Sequence, residues 1–385
     1  MITSSPKHYV PIVKWKRAEQ RALEALDEKK KDTITPLIEL VMPMVPLYKE
    51  KERKDGKKIK KTQDELFTET VSKFKEKRIN QIPGEILRSW GARPVFLDFS
   101  LLYEAELTTQ LKVNSLNTIV PVGIDMGLKI IPVLNLNDDP KIKKAICSLL
   151  GKNNQGICLR ISPSGLSNTE VLNKKVRNFL QDFDLLRKSI DLLIDIKEIK
   201  ERGGQYLQFI NASQEIENLL EWRNFVFASG AFPEDLSECK RDEVTLLPRF
   251  DWQNWLHHSN ARTLTRKPTF ADYTIRNPVF KELPQYYYPT TSIKYSLEND
   301  WLVMKGRVRE PELYLANAKL LVEDTDYFYG ENFSWGDKNI AQKAKYFHQY
   351  VKNRSAKGTG RTEDWIAWEM NHHLTAVVDQ IANLL

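Results

Sequence analysis

The chain has 385 residues, 41% of them hydrophobic, with 58 Lys+Arg against 51 Asp+Glu. That is ample material for a large core, and no run of about 18 apolar residues is present to cross a membrane. Three scattered cysteines (Cys147, Cys158, Cys239), with no CxxC and no HExxH, point to buried free thiols in a reducing cytoplasm and away from a zinc site.

The positive charge is local. Residues 1–62 hold 16 Lys+Arg and 9 Asp+Glu, while residues 63–385 hold 42 of each, so the whole surplus of 7 lies in the first sixth of the chain. Its densest part is Lys49–Lys61, with 8 basic and 3 acidic residues. The opening residues lack the basic-then-apolar plan of a signal peptide, which predicts a cytoplasmic protein.

In chain order, Tyr9–Lys14 reads as a strand. Lys16–Lys31 reads as a helix, with Ala18, Ala22, Ala25 and Leu26 near a period of 3.6. Further strands are expected at Ile34–Val41, Pro94–Phe99, Lys129–Leu136, Gly156–Ile161, Leu192–Ile196, Asn224–Ala228 and Phe270–Ile275. Each is a short apolar run that stops at a polar group and is followed by helix-like sequence. Thr62 with Glu65, and Ser167 with Glu170, are capping boxes; the second opens a helix with the stripe Leu172, Val176, Phe179, Phe183 and Leu186.

Strands alternating with helices at this rhythm pair in parallel, because each crossover needs a helix to bring the chain back. Eight units predict an α/β fold of the (β/α)8 TIM-like type. It carries a basic insertion after strand two and, over residues 276–385, a C-terminal extension. There Ile293–Leu297 and Trp301–Met304 flank Glu298-Asn299-Asp300 as a hairpin, and Lys338–Tyr350 and Thr362–Leu384 read as helices. The last has the stripe Ile366, Met370, Leu374, Val377 and Ile381. Without a low-complexity linker, residues 1–385 are expected to form one elaborated domain, its core strands within 9–275.

In such a barrel the C-terminal strand ends form the functional face. That face is expected to receive Lys14, Lys16, Glu39, Asp98, Asn135, Arg160, Asp195, Lys197, Ser229 and Asp272. Glu39, Asp98 and Asp195 could act as acid–base groups or hold Mg2+, a hard cation that wants oxygen ligands. Lys14, Lys16 and Arg160 could clamp a phosphate, with help from the small turn at Ser229-Gly230. The basic insertion, with Lys57, Lys58, Lys60 and Lys61, should overhang the mouth and attract phosphates, nucleic acid or an acidic protein. No histidine ends a barrel strand, which disfavours a paired-histidine phosphodiesterase. A Schiff-base role for Lys14 or Lys16 is a further reading.

Several stretches together resemble the phage "beta protein" family, first named from a satellite bacteriophage. They are Tyr9-Val-Pro-Ile-Val-Lys14-Trp-Lys16, Thr35-Pro-Leu-Ile-Glu39, Val95-Phe-Leu-Asp98, Ile293-Lys-Tyr295 with Trp301–Gly306, Phe333-Ser-Trp335-Gly336-Asp337 with Ile340, and Trp368 with Asn371-His372-His373. The resemblance spans nearly the whole chain. It implies a setting on phages, satellites and genomic islands, often near anti-phage genes, and a protein partner of a defence system. It also carries over Lys294, Tyr295, Trp335, Asp337, Asn371, His372 and His373 as family positions. Among these, Lys294, Tyr295, His372 and His373 are expected to bind ligand. Lys294 stands where arginine is expected. Two functions follow: a barrel binding or hydrolysing a nucleotide or nucleic acid, or a non-catalytic module whose basic insertion docks a partner.

Overall fold

Eight short parallel strands close on themselves in sequence order: β1 (Tyr9–Lys14), β2 (Leu37–Glu39), β3 (Pro94–Asp98), β4 (Lys129–Asn135), β5 (Ile157–Ile161), β6 (Ile190–Glu198), β7 (Asn224–Gly230) and β8 (Thr269–Asp272). β8 pairs back onto β1, so no edge is left open. This computed structural model describes residues 7–45, 51–52, 58–59, 62–150, 155–281, 289–353 and 358–384. The fold is the expected (β/α)8 barrel.

The strands are apolar on both faces because both are covered. Alternation sends Val10 and Ile12, Leu37, Phe96, Ile131 and Val133, Cys158, Leu193, Val226 and Ala271 into the barrel. It sends Tyr9, Val13, Ile38, Leu97, Leu159, Ile194, Phe227 and Phe270 outward beneath the helices. At the N-terminal end, buried Asp191 receives a two-pronged bond from Arg223, at 2.8 and 2.6 Å, and a third from Asn224.

The Thr62 capping box is present with both of its bonds. The second box shifts by one residue. Ser167 Oγ is spent on the Ser164 carbonyl at the end of a short turn of helix, and Asn168 caps Thr169–Asp182 instead. Leu186 lies beyond that helix and is exposed. Of the basic insertion, Lys51–Glu52 and Lys58–Ile59 pair as a two-stranded ribbon. Lys57, Lys60 and Lys61 lie outside the described residues, and nothing is assigned to the Lys58 side chain.

The expected hairpin is present as Thr290–Ser296 and Asp300–Val308. A strand absent from the sequence reading, Val244–Pro248, pairs with it into a three-stranded antiparallel sheet, though it comes from between β7 and β8. The helix Thr362–Ala382 packs against the first helix, Arg17–Glu24, and against the sheet. It thus covers the barrel's outer wall between β8 and β1.

Two adjacent histidines fasten this arrangement. His373 Nε2 donates to Asp272 Oδ2 at 2.9 Å, and its Nδ1 accepts from Ser296 Oγ at 2.7 Å. Tyr9 donates to the other Asp272 oxygen. Burial pushes His373 below its usual range, in keeping with this neutral tautomer. His372 faces outward to Asp337 Oδ2 and the Ser296 carbonyl, stacked on Tyr295, whose hydroxyl donates to Asp337 Oδ1.

Gly336 lies where this packing is tightest: a Cβ there would sit 2.0 Å from the Trp368 carbonyl oxygen. Neither backbone can yield cheaply. Gly336→Ala is therefore expected to lower stability by about 3 kcal/mol or more, seen as an earlier urea midpoint. An unchanged midpoint would show that the two helices separate freely.

Candidate functional site: an ion cluster and a cationic pocket at the barrel mouth

The C-terminal ends of the strands bring Lys14, Glu39, Asp98, Arg160 and Asp195 into one buried layer. Register does this directly, since Lys14 pairs with Glu39 and Glu39 with Asp98 across β1, β2 and β3. Arg160, from the end of β5, reaches the centre. It donates through Nη1 to Asp98, through Nη2 to Glu39 Oε1 at 2.9 Å, and through Nε and Nη2 to Asp195 Oδ2 at 3.0 and 2.7 Å.

Tyr273 completes the layer. Its hydroxyl accepts from Arg160 and from Lys197 Nζ, and donates to Asp195 Oδ2 at 2.7 Å. Lys197 also reaches Asp195 at 2.9 Å. Burial alone would raise the Asp195 carboxyl, but Arg160 and Lys197 outweigh it and hold it well below the usual carboxylate range. Lys197 and Thr274 both sit in the left-handed backbone region, with φ of 61° and 57°. Each gives its N–H to the aspartate two residues earlier, Asp195 and Asp272. That contact stabilises a conformation costing about 1 kcal/mol or more.

A magnesium ion does not fit these donors. Of the six oxygens of Glu39, Asp98 and Asp195, only Glu39 Oε2 lacks a hydrogen bond. The guanidinium occupies the position a cation would take. Among the described residues no group of three or more His, Cys, Asp or Glu is arranged to hold an ion.

Lys14 differs from Arg160. Its Nζ is 3.2 Å from the Asn277 carbonyl and only loosely paired with Glu39 Oε2, at 3.9 Å. Burial lowers its pKa to about 8, with Glu39 opposing and Arg276 and Lys197 adding to the effect. It looks onto a pocket of about 410 Å3 whose wall, among the described residues, carries Lys14, Lys16, Arg78, Arg276 and Lys281 against the one carboxylate of Glu19. Three of these cations also hold carboxylates: Arg78 with Glu85, Lys281 with Glu234 and Arg276 with Glu19. The half-buried Phe280 ring lies 5.9 Å from Lys14 Nζ and 5.4 Å from Lys16 Nζ. A second pocket, of about 450 Å3, opens over Arg160, Asp195 and Lys197. Arg160 and Lys197 there are already committed to carboxylates, and Lys175 at its edge reaches the Asn137 side-chain oxygen at 3.5 Å.

The structure thus gathers Lys14, Glu39, Asp98, Arg160 and Asp195, with Lys16 at the rim. Other expected residues lie elsewhere. Asp272 faces outward to His373, and its place at the mouth is taken by Tyr273. Ser229 is buried on the outer side of β7. Gly230 is packed so closely that a Cβ would meet Pro278 at 2.5 Å, which leaves no open amide cradle. Tyr295, His372 and His373 form the buried clasp described above, away from the mouth. Lys294 lines the adjoining cavity between the barrel and the three-stranded sheet. Arg276 and Phe280 escaped the sequence reading because they lie on a loop with no periodic signal, and Arg78 because it sits at a π-turn, Phe74–Arg78, inside a long helical stretch; Tyr273 was one residue from the position chosen.

A closed eight-stranded parallel barrel with an internally neutralised ion cluster beside a cationic pocket defines an elaborated (β/α)8 protein. The chain belongs to the Beta protein family, whose model matches residues 9–379. It is similar to the DNA mismatch repair protein MutS of Flavobacterium psychrophilum, 21% identical over 241 residues, and of Flavobacterium johnsoniae, 22% over 242. Each match takes in 62% of this chain and 25% of the relative, so the chain spans about a quarter of their length. Among solved structures it is similar to a GH138 enzyme targeting pectin rhamnogalacturonan II, with 9% identity and a TM-score of 0.35, over 88% of this chain and 43% of that one. The barrel assignment rests on the strand order itself. No helix among the described residues is long and apolar enough to cross a membrane.

Proposed function

We propose that this protein binds a phosphate-bearing ligand, a nucleotide or nucleic acid, in the pocket beside Lys14, and that it binds without hydrolysing. The supporting observation is the composition of that wall, among the described residues five cationic side chains against one carboxylate, around a half-buried aromatic ring. Arg and Lys donors at several angles suit phosphate oxygens, and the ring suits a base or other flat group. The carboxylates that metal-assisted hydrolysis would use are neutralised by Arg160. In the mobile-element setting the family resemblance implies, such a protein would serve as the ligand-sensing part of an anti-phage system with another protein as partner.

Calorimetric titration with ADP tests this. Wild type is expected to bind, and Lys16→Ala with Lys281→Ala together to weaken binding about tenfold, with affinity falling as salt rises. No heat with wild type, or equal affinity in the double variant, would count against the reading.

The neutralised cluster favours a second reading as well, a scaffold whose basic insertion docks nucleic acid or an acidic protein. Charge reversal at Lys57, Lys58, Lys60 and Lys61 would then abolish function while Lys14→Ala stayed active. The opposite pattern supports the pocket.

A further inference from the structure

The pocket at the mouth continues into a larger space. A cavity of about 1190 Å3 between the barrel and the three-stranded sheet shares Lys16, Glu19, Met44 and Arg276, among others, with the 410 Å3 pocket. The two therefore form one cleft. Its larger part alone exceeds the roughly 300–1,000 Å3 that serves a single small ligand.

The far wall is built by Thr290–Ser296 and the C-terminal helix, and Lys294 stands there. Its backbone N–H is given to Glu369 Oε1 at 3.2 Å, and its ammonium lies 5.5 Å from the centre of the Phe232 ring. Nζ itself has no hydrogen-bond or ion-pair partner among the described residues. The neighbouring cations are committed, Lys305 to the carbonyls of Leu236 and Cys239 and Arg276 to Glu19. The Glu369 carboxylate in the same wall favours the charged amine against burial, but no hydrogen bond from Nζ to a described residue offsets its desolvation. A mononucleotide seated on Lys14 would leave that amine unused.

At the mouth end the cleft offers Phe280, flanked by the Lys14 and Lys16 ammonium groups, and where the two spaces join it offers Met44, which is 62% exposed. Cations interleaved with a flat apolar face are what single strands need, since every base has a face to stack while the backbone needs charge. An acidic peptide would use the cations and leave the ring idle. Resting on the phosphate-binding reading above, we propose that this cleft holds a single-stranded nucleic acid running from Lys14 at the barrel mouth to Lys294 at the C-terminal sheet.

The test is fluorescence-anisotropy binding of a labelled thymidine dinucleotide and of a thymidylate oligomer of about eight nucleotides. The proteins are wild type, Lys16→Ala, Lys294→Met and Lys294→Arg, and salt is varied. Wild type is expected to bind the oligomer about tenfold more tightly than the dinucleotide. Lys294→Met should weaken the oligomer about fivefold and take about 0.7 from its log–log salt slope. It should leave the dinucleotide unchanged, and Lys294→Arg should restore the oligomer. Lys16→Ala should weaken both. Uridylate of equal length distinguishes an RNA source from a DNA source, and tighter binding of either polymer supports the cleft.

If the dinucleotide binds but length adds nothing, or Lys294→Met changes neither ligand, the extended path is overturned while the mouth site stands. If neither ligand binds wild type, both readings fall. If polyglutamate displaces the oligomer at equal charge concentration, the cleft is a site for acidic chains and the proposal is wrong.

Discussion

Replacing Arg160 by alanine is expected to lower the unfolding free energy by about 3–5 kcal/mol, a large share of the roughly 5–15 kcal/mol that holds a typical domain. The side chain is 4% exposed and is the shared partner of three carboxylates that are 1–2% exposed. Without it Glu39, Asp98 and Asp195 face one another with only Lys197, Lys14 and Tyr273 left to offset them. The loss comes from stranding buried charge, not from the net strength of the pairs. Arg160→Ala should therefore be worse than removing a carboxylate together with its charge demand, as in Asp98→Asn.

The effect should depend on pH in a definite direction. Asp195 is held below its usual range, so it contributes stability above its unfolded pKa of about 3.9 and loses it as pH falls toward the folded value. In the variant the carboxylates can relieve their repulsion by taking up protons. The gap between wild type and variant should be widest near pH 7 and narrow as the solution approaches pH ~3. Urea midpoints across that range measure it. Equal midpoints at neutral pH would show that the cluster does not hold the barrel mouth.

The second large effect is at Lys14. Removing a charged donor from a phosphate is worth about 1.5–3 kcal/mol, so Lys14→Ala should weaken ADP binding roughly tenfold to a hundredfold. Because burial lowers the amine to about 8, wild-type affinity should fall as pH rises through that value. An ordinary exposed lysine would keep its charge until about 10.4. Lys14→Arg should bind with little change over the same interval. Folding shows the converse linkage. The unfolded chain binds this proton more tightly than the folded one, so Lys14 makes stability rise with pH between about 8 and 10.5. Affinity that is flat through pH ~8 in wild type would mean that another group holds the anion.

Much of the barrel was legible because each strand is a short apolar run with one polar terminus. Lys14, Glu39, Asp98, Arg160 and Asp195 share one inward layer because each falls on the inward side of the alternation at its strand's end. The same rule separates Asp272 from Tyr273: one residue decides which of them faces the mouth. The carboxylate drew the reading, while the alternation from Ala271 favoured the tyrosine.

What was not legible depends on distance across the fold. Nothing local in the sequence shows that one guanidinium spans the barrel to three carboxylates and so removes the apparent metal site. Val244–Pro248 joins the C-terminal sheet through pairs such as Leu247 with Trp301, far along the chain, and a short segment carries no trace of that partner. Among the family positions Tyr295, Asp337, His372 and His373, the tyrosine and the two histidines were expected to bind ligand. Their burial, the Tyr295–Asp337–His372 hydrogen bonds and the His373–Asp272 bond instead make them the fastening between sheet, helix and barrel.

The most direct test of the ligand site is a crystal structure grown with ADP and magnesium. The account predicts phosphate density against Lys14, Lys16 and Arg276, with Arg160 still bonded to Asp98 and Asp195. A metal ion seated among Glu39, Asp98 and Asp195, with Arg160 turned away, would contradict it.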